Sequence, residues 1–382
     1  MNRCSPRAEV NAAVADDALQ RPNWMRVDLD ALRANYVEIA RRSGARRVVA
    51  AVKADGYGHG VVGISAALVD AGCDSLWTGH IGDALAIRAA GIDAEIVLFD
   101  GYTPDQIPGL VDAGLAPTVV DLAGATAAAR SGASVYVKVD AGLGRLGLPV
   151  GSARAIIGEM AEIPGITIAG IYTHLPFSDQ AGREWAVAKG AVFAELLDGL
   201  ARDGIRPAFT QMWGSSGLLA DLPDATSAVC VGHALYGISP FTDQTLTDAA
   251  LSPVLTELGS RLIHVAEHPG EIGAGGYLAG GSSRVGVIPF GVADGLRRLT
   301  SPYQPQALLR GHRVPLLGIS LEHTVLDLDA VPDATVGDHV LLLGADGSHR
   351  ITLTEWAASF ACSELDAVLA ISGRVAHRNT GA

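Results

Sequence analysis

Apolar, β-branched runs recur along this chain at short intervals, separated by Ala- and Leu-rich stretches of helical length. MRVDLDALRANYVEIARRSG (25–44) reads as a short strand leading into an amphipathic helix, with Asp28 or Asp30 as its N-cap and Gly44 as its stop. Strand-like runs follow at 48–54, 75–80, 95–100, 116–120, 134–140, 166–175, 208–214 and 227–237. Helical segments such as SARAIIGEMAEI and GREWAVAKGAVFAELLDGLARDG stand between them. Eight strands alternating with helices indicate an α/β fold of parallel βαβ units, and their number favours a closed (β/α)8 barrel.

The pattern changes near Pro240. SPVLTELGSRLIHVAEH, SSRVGVIPFGVADG, QALLRGHRVPLLGISLEHTVLDL and DHVLLLGADG are β-rich with turn signals between them. The expected organisation is a polar tail over 1–25, a barrel over 26–247 and a mainly β domain over 248–382. A Gly-rich segment, GEIGAGGYLAGGSS, interrupts the β domain.

The chain has 382 residues, 49% of them apolar, which suits a large buried core rather than disorder. A formal charge of -13 repels polyanions and argues against nucleic acid or an anionic membrane as the main partner. Four scattered cysteines, Cys4, Cys73, Cys230 and Cys362, form no CxxC pair, so neither a disulfide framework nor a structural metal site is expected. No signal peptide and no membrane span is legible, and the expected location is cytoplasmic.

Active sites of such barrels lie at the carboxyl ends of the strands, which here carry Lys53, His80, Asp100, Asp140, His174, Trp213 and Cys230. Lys53 follows the apolar run VVAAV. Desolvated there, its amine has a lowered pKa and forms a Schiff base with an aldehyde; paired with a rim carboxylate, it is merely structural. It opens KADGYGHG, where Gly56, Gly58 and Gly60 let backbone amides approach an anion and Tyr57 offers a hydroxyl.

KVDAGLGRLG holds a formal GxGxxG at Gly142, Gly144 and Gly147, a weak dinucleotide signal placed on the fifth strand with Arg145 among its glycines. Arg145 suits a carboxylate, with Lys138 and Asp140 near; a rim salt-bridge cluster is the equal alternative. His174 ends a strand. Ser215 and Ser216, with Gly232 and His233, end the seventh and eighth strands, where barrels commonly bind phosphate. Glu322 and His323 offer acid–base groups or a solvated loop.

These motifs taken together resemble the alanine racemases, which use pyridoxal phosphate and pair an N-terminal (β/α)8 barrel with a C-terminal β domain. AAVKADGYGHG, KVDAGLGRLG, THLPFSD, ALYG, IPFGVADG, LEHTVLDL and SGRVAHR occur in family order after about residue 25. The resemblance implies that Lys53 carries the cofactor and serves as base on one face of the substrate Cα. It implies that Tyr57, Ser215, Gly232 and His233 hold the phosphate, that His174 meets the ring, and that Arg145, supported by Lys138, meets the ring hydroxyl and the substrate carboxylate. It further implies a small amino-acid substrate and a homodimer in which each β domain completes its neighbour's barrel.

Several positions depart from the family pattern. The tyrosine that serves the opposite face of Cα falls at Val292, which moves no proton. The arginine facing the pyridine nitrogen falls at Cys230, a phosphate-site tyrosine at Leu365 and a methionine at Leu321. Tyr277, Glu322 or His323 of the partner subunit are candidate replacements for the lost base. The leading expectation is an amino-acid racemase of the alanine type. The alternatives are a one-faced pyridoxal-phosphate enzyme (transferase, aldolase, eliminating or decarboxylating) and a non-catalytic cofactor carrier.

Overall fold

The computed structural model describes residues 21–242, 251–267, 283–299 and 304–381, so Tyr277, most of the Gly-rich segment and residues 1–20 of the expected tail lie outside the described residues. Two compact units divide the chain. One comprises Asp28–Val254 with Asn379–Ala382, and the other Leu255–Arg378 with the residues up to Val27. Trp24, left by the sequence reading in the polar tail, and Met25 are buried residues of β1 (Trp24–Asp28), which pairs with a later strand of the second unit.

The first unit begins with α1 (Leu29–Ser43). Asp28 caps it by accepting from the Ala31 amide, and Gly44 ends it at φ 63°. Then come β2 (Arg47–Ala51), α2 (Val61–Asp70), β3 (Ser75–Thr78), α3 (Ile81–Ala89), β4 (Glu95–Leu98), α4 (Ile107–Asp112) and β5 (Ala116–Val119). The chain continues through α5 (Leu122–Arg130), β6 (Ser134–Asp140), the two-residue β7 (Leu148–Pro149), α6 (Val150–Ala161) and β8 (Thr167–Tyr172). It closes with α7 (Gln180–Arg202), β9 (Phe209–Gln211), α8 (Ser215–Leu219) and β10 (Ala228–Val231). Among the described residues eight parallel strands run β2-β3-β4-β5-β6-β8-β9-β10, with β10 back on β2 and β5 on β6, so the barrel is closed. Except for β6, the strands end earlier than the apolar runs that mark them. At 227–237, for instance, Gly232 turns the chain out of β10 into a short 3-10 turn, His233–Tyr236.

Inward residues fill the barrel. Trp77 stacks on Phe209 at 5.4 Å and meets the edges of Tyr136 and Tyr172 at 5.3 and 4.8 Å, each pair worth about 0.5–1.5 kcal/mol beyond burial. Gly170 pairs across β8 with both Tyr136 and Phe209. A Cβ there would lie 2.7 Å from each ring, so the aromatic layer requires glycine.

The second unit is a sheet with two helices. Its strands are β11 (Leu255–Arg261), β12 (His264–Glu267), β13 (Arg284–Ile288), β14 (Gln306–Leu309), β15 (His312–Ile319), β16 (Thr324–Asp327), β17 (His339–Asp346), β18 (His349–Ile351) and, after α9 (Leu353–Ser359) and α10 (Glu364–Ala370), β19 (Ala376–Thr380). Their order is β12-β13-β16-β15-β14-β17-β11-β1-β19, with β18 on β17. The two helices are absent from the β-rich sequence reading, because each is only two turns long and carries little periodicity. Among the described residues no helix is long and apolar enough to cross a membrane.

Gly170→Ala should overpack the aromatic layer and cost about 1–3 kcal/mol in urea unfolding. Gly158→Ala, in α6 with open space around it, should gain about 0.5–1 kcal/mol instead.

Candidate active site

The carboxyl ends of the barrel strands surround a cavity of about 360 Å³. Trp77 and Tyr172 of the aromatic layer, with Cys230 packed against it, line the bottom of the cavity. Lys53, Tyr57, Lys138, Arg145, His174, Ser215, Gly232 and His233 all line it, so one cavity gathers residues from five separate stretches of chain.

Lys53 enters from Val52, directly after β2. The next residues do not continue into an ordinary helix: Ala54, Asp55, Gly56 and Tyr57 take φ of 54°, 55°, 61° and 55°, a left-handed turn. Each non-glycine residue in that conformation costs about 1–2 kcal/mol. The cost is offset locally. The Gly56 amide donates to Val52 O at 3.0 Å, Gly60 to Asp55 O at 2.9 Å and Val61 to the Asp55 carboxylate at 2.7 Å. Asp83 accepts the Asp55 amide at 3.2 Å from across the turn. The glycines of KADGYGHG therefore serve the turn itself; the expectation that their amides cradle an anion is not met at Gly56 and Gly60, whose N–H groups already have partners.

Tyr57 is buried, stacked on Tyr236 with centroids 4.7 Å apart and edge-on to His233 at 5.7 Å. Opposite it, the amides of Gly232 and Ala234 both donate to Ser215 Oγ, at 3.1 and 3.2 Å. A Cβ on Gly232 would fall 2.0 Å from the Tyr57 hydroxyl, so only glycine lets that hydroxyl approach this backbone. The hydroxyls of Tyr57 and Ser215, the latter held by the Gly232 and Ala234 amides, make an uncharged pole suited to phosphate.

Burial sets the protonation of the cavity. It lowers the Lys53 amine below its ordinary value, with Arg145 adding to the effect. It takes His174 down to about 3 and His233 to about 4, with Lys53 contributing to both, so both imidazoles are neutral at pH 7. It pushes the Cys230 thiol up to about 12 and raises Tyr57 as well. Lys138 falls to about 8, chiefly through burial and then through Arg145.

The GLGRLG loop is organised around a carboxylate. Asp140 accepts from the amides of Gly142, Gly144 and Arg145 at 2.8, 3.2 and 3.0 Å. Those amides are the groups a pyrophosphate would need, so the dinucleotide signal is explained by this internal cap. The Arg145 side chain is exposed at the cavity and makes no ion pair among the described residues, which overturns the rim salt-bridge alternative for it.

Other candidates have structural roles. His80 caps α3, accepts from the Asp83 amide and is outside the cavity lining. Trp213 is buried, with Nε1 donating to Pro223 O at 3.0 Å. Ser216 Oγ accepts the Phe177 amide. Asp100 is exposed and does not line the cavity. Phe99, Gln211 and Phe177 line it without having been singled out; inward alternation on β4 and β9 was the available signal for the first two.

In the β unit, Val292 opens a short turn, Val292–Asp294, whose Asp294 is fully buried, accepts the Gly291 amide at 2.9 Å and pairs with Arg21 and Arg374, both at 3.3 Å. Leu321 is 62% exposed, and Leu365 is half-buried on α10. Glu322 pairs with Arg374 at 2.7 Å, and His323 is exposed. Among the described residues no cluster of three or more His, Cys, Asp or Glu is arranged to hold a metal.

Known proteins align with the whole of this arrangement. The alanine racemase N-terminal domain profile matches residues 27–240 and the C-terminal domain profile residues 256–379. Alanine racemase of Desulfosudis oleivorans is 34% identical, over 92% of this chain and 95% of its own. That of Symbiobacterium thermophilum is 32% identical, over 93% and 96%. The crystal structure of alanine racemase from Bacillus anthracis with bound L-Ala-P superposes with a TM-score of 0.85 at 26% identity, covering 94% of this chain and 95% of that one. Two domain matches in order and relatives of this similarity across nearly the full length place the chain in the alanine racemase family, a family of pyridoxal-phosphate-dependent isomerases.

Proposed function

We propose that this chain binds pyridoxal phosphate at the barrel mouth and interconverts the enantiomers of a small amino acid, alanine in the first instance. The observation that carries the reading is a desolvated Lys53 amine sharing one cavity with the donor pole at Tyr57, Ser215 and Gly232. The residues fit the cofactor. Gly232 lacks a Cβ where one would block Tyr57, the pole offers uncharged donors to a phosphate, and the cavity volume lies within the roughly 300–1,000 Å³ of small-molecule sites.

In this reading Lys53 forms the covalent link to the cofactor aldehyde, and Tyr57, Ser215 and the backbone of Gly232 and His233 hold the phosphate. When bound, pyridoxal phosphate supplies an electron sink for the pair left on Cα when its hydrogen is removed. Lys53, which would hold the cofactor aldehyde, would also accept the α-proton; that role favours an amine of reduced proton affinity, and burial lowers that of Lys53. His174, neutral, donates to or packs on the ring. Arg145, with no ion-pair partner among the described residues, takes the substrate carboxylate. The Cys230 thiol, protonated at neutral pH, lines the cavity at the position where the resemblance expects the arginine that faces the ring nitrogen, and would leave that nitrogen without a cationic partner. The Bacillus anthracis relative with bound L-Ala-P supports an alanine-like substrate.

The family resemblance also supports a homodimer in which Val292, Leu321 and Leu365 of the β unit approach the neighbour's barrel. Val292 in place of tyrosine then leaves one face of Cα without its usual proton donor.

Lys53→Ala should abolish both the visible absorbance of the cofactor-loaded protein and all turnover; turnover surviving that change would end the proposal. Gly232→Ala should weaken cofactor affinity by tenfold or more in equilibrium titration, since about 1.4 kcal/mol is lost per decade and the Tyr57 hydroxyl must move. Tyr57→Phe in the Gly232→Ala background should recover part of that loss by removing the colliding oxygen.

A further inference from the structure

We infer that Asp83 is a positioning residue for the barrel mouth: its carboxylate fixes the left-handed turn that sends Lys53 and Tyr57 into the cavity. What those two side chains do there rests on the function proposed above.

The sheet guides the chain only as far as Val52, whose amide donates to Trp77 O at 2.9 Å. Beyond it, Lys53 and Tyr57 both line the cavity, and Asp55 stands midway between them in the chain. The first ring closed within the turn runs from Gly56 N to Val52 O. The Asp55 amide precedes that ring, so it resembles the first N–H groups of a helix, which find no partner inside their own element. Asp83 Oδ2 accepts it at 3.2 Å. The same oxygen accepts the hydroxyl of Thr78, the last residue of β3, at 3.3 Å. One carboxylate oxygen therefore ties the turn to the neighbouring strand just past the point where β2 and β3 stop pairing. The turn's hydrogen bonds to Val52 O, Asp55 O and the Asp55 carboxylate run within residues 52–61, whereas this one crosses to another element.

Asp83 is poorly placed for any task but this one. Its side chain is only 11% exposed, and among the described residues it pairs with no lysine or arginine. Its other oxygen faces Nδ1 of the exposed His80 at 3.0 Å. A carboxylate largely withdrawn from water needs hydrogen bonds to remain charged, and the Asp55 amide and the Thr78 hydroxyl provide them. An acid in the first turn of α3 also suits the helix dipole. The dipole is served equally well by an exposed carboxylate, however, and does not account for an oxygen turned onto the turn beside it. Ala54, Asp55 and Tyr57 have φ of 54°, 55° and 55°, a backbone that persists only where its surroundings over-determine it. Without the acceptor at Asp83 this stretch is free to relax, and Lys53 and Tyr57 then lose their fixed origin.

Asp83→Ala, Asp83→Asn and His80→Ala, compared with wild type in the full chain, test the inference. His80→Ala removes the N-cap of α3 and leaves the Asp83 oxygen on the Asp55 amide, so it reports what loss of the helix start alone does. In equilibrium titration with pyridoxal phosphate the dissociation constant should rise about tenfold or more in Asp83→Ala, as for a lost hydrogen bond to a charged group. It should rise less in Asp83→Asn, which keeps one acceptor oxygen, and stay near wild type in His80→Ala.

The second readout needs no cofactor. The chain has three lysines, Lys53, Lys138 and Lys189, so 13C at lysine Cε gives three signals, and the one missing in Lys53→Ala reports Lys53. Burial holds that amine below its ordinary value. Removing a nearby negative charge would lower it further, whereas release of the turn into water would raise it toward about 10.4. A rise is expected in Asp83→Ala, a smaller rise in Asp83→Asn and none in His80→Ala. A Lys53 titration that stays or falls in Asp83→Ala, or cofactor affinity lost alike in Asp83→Ala and His80→Ala, overturns the inference. If Asp83→Ala does not fold, Asp83→Asn decides by the same direction of shift. A wild type that takes up no pyridoxal phosphate defeats the proposed function instead, and the Lys53 titration still decides the inference.

Discussion

The left-handed turn after β2 is the constraint on which the barrel mouth depends. Ala54, Asp55 and Tyr57 take up a backbone that L-residues avoid, and the Asp55 carboxylate, the Gly60 amide and Asp83 hold them there. That turn fixes the origin of the Lys53 stem and sets the Tyr57 hydroxyl against a backbone position where any Cβ would collide. Strain of this kind persists where surrounding contacts over-determine it, and it concentrates at functional sites.

Around that turn the cavity separates two kinds of recognition. One pole presents hydroxyls and amides without formal charge, because His174 and His233 are neutral where they are buried. The other presents Lys138 and Arg145 with no carboxylate paired to them among the described residues. A net charge of -13 is thus compatible with a site for anions: the acidic residues lie elsewhere, and the few local cations act at close range in a partly desolvated space.

Much of this was legible in the chain. Apolar runs separated by helical stretches revealed all eight barrel strands, since strands covered on both faces read as continuous apolar runs. The strand ends named Lys53, His174 and Cys230, because the barrel architecture puts chemistry at those ends. The handedness of KADGYGHG was not legible. Its glycines suggested an anion loop, while the features that hold the turn are the Asp55 carboxylate, which reads in sequence as an ordinary polar residue of the loop, and Asp83, a contact 28 residues away with no local signature. GLGRLG, read as only a weak dinucleotide signal, has its amides taken by Asp140, two residues before its first glycine. The strand at the start of the chain was read from Met25 onward, while Trp24 was left in the tail because a single strand pairing with β11, far along the sequence, gives little periodicity to fix its start.

Interconverting enantiomers requires proton transfer at both faces of one carbon, with Lys53 on one side. Incubating the cofactor-loaded wild-type chain with L-alanine in D2O and following deuterium at Cα together with enantiomer composition tests it most directly. Deuterium appearing in both enantiomers as the mixture approaches equal amounts is the predicted result. Deuterium confined to unchanged L-alanine, with no D-alanine formed, would contradict it and show that the site works on one face alone.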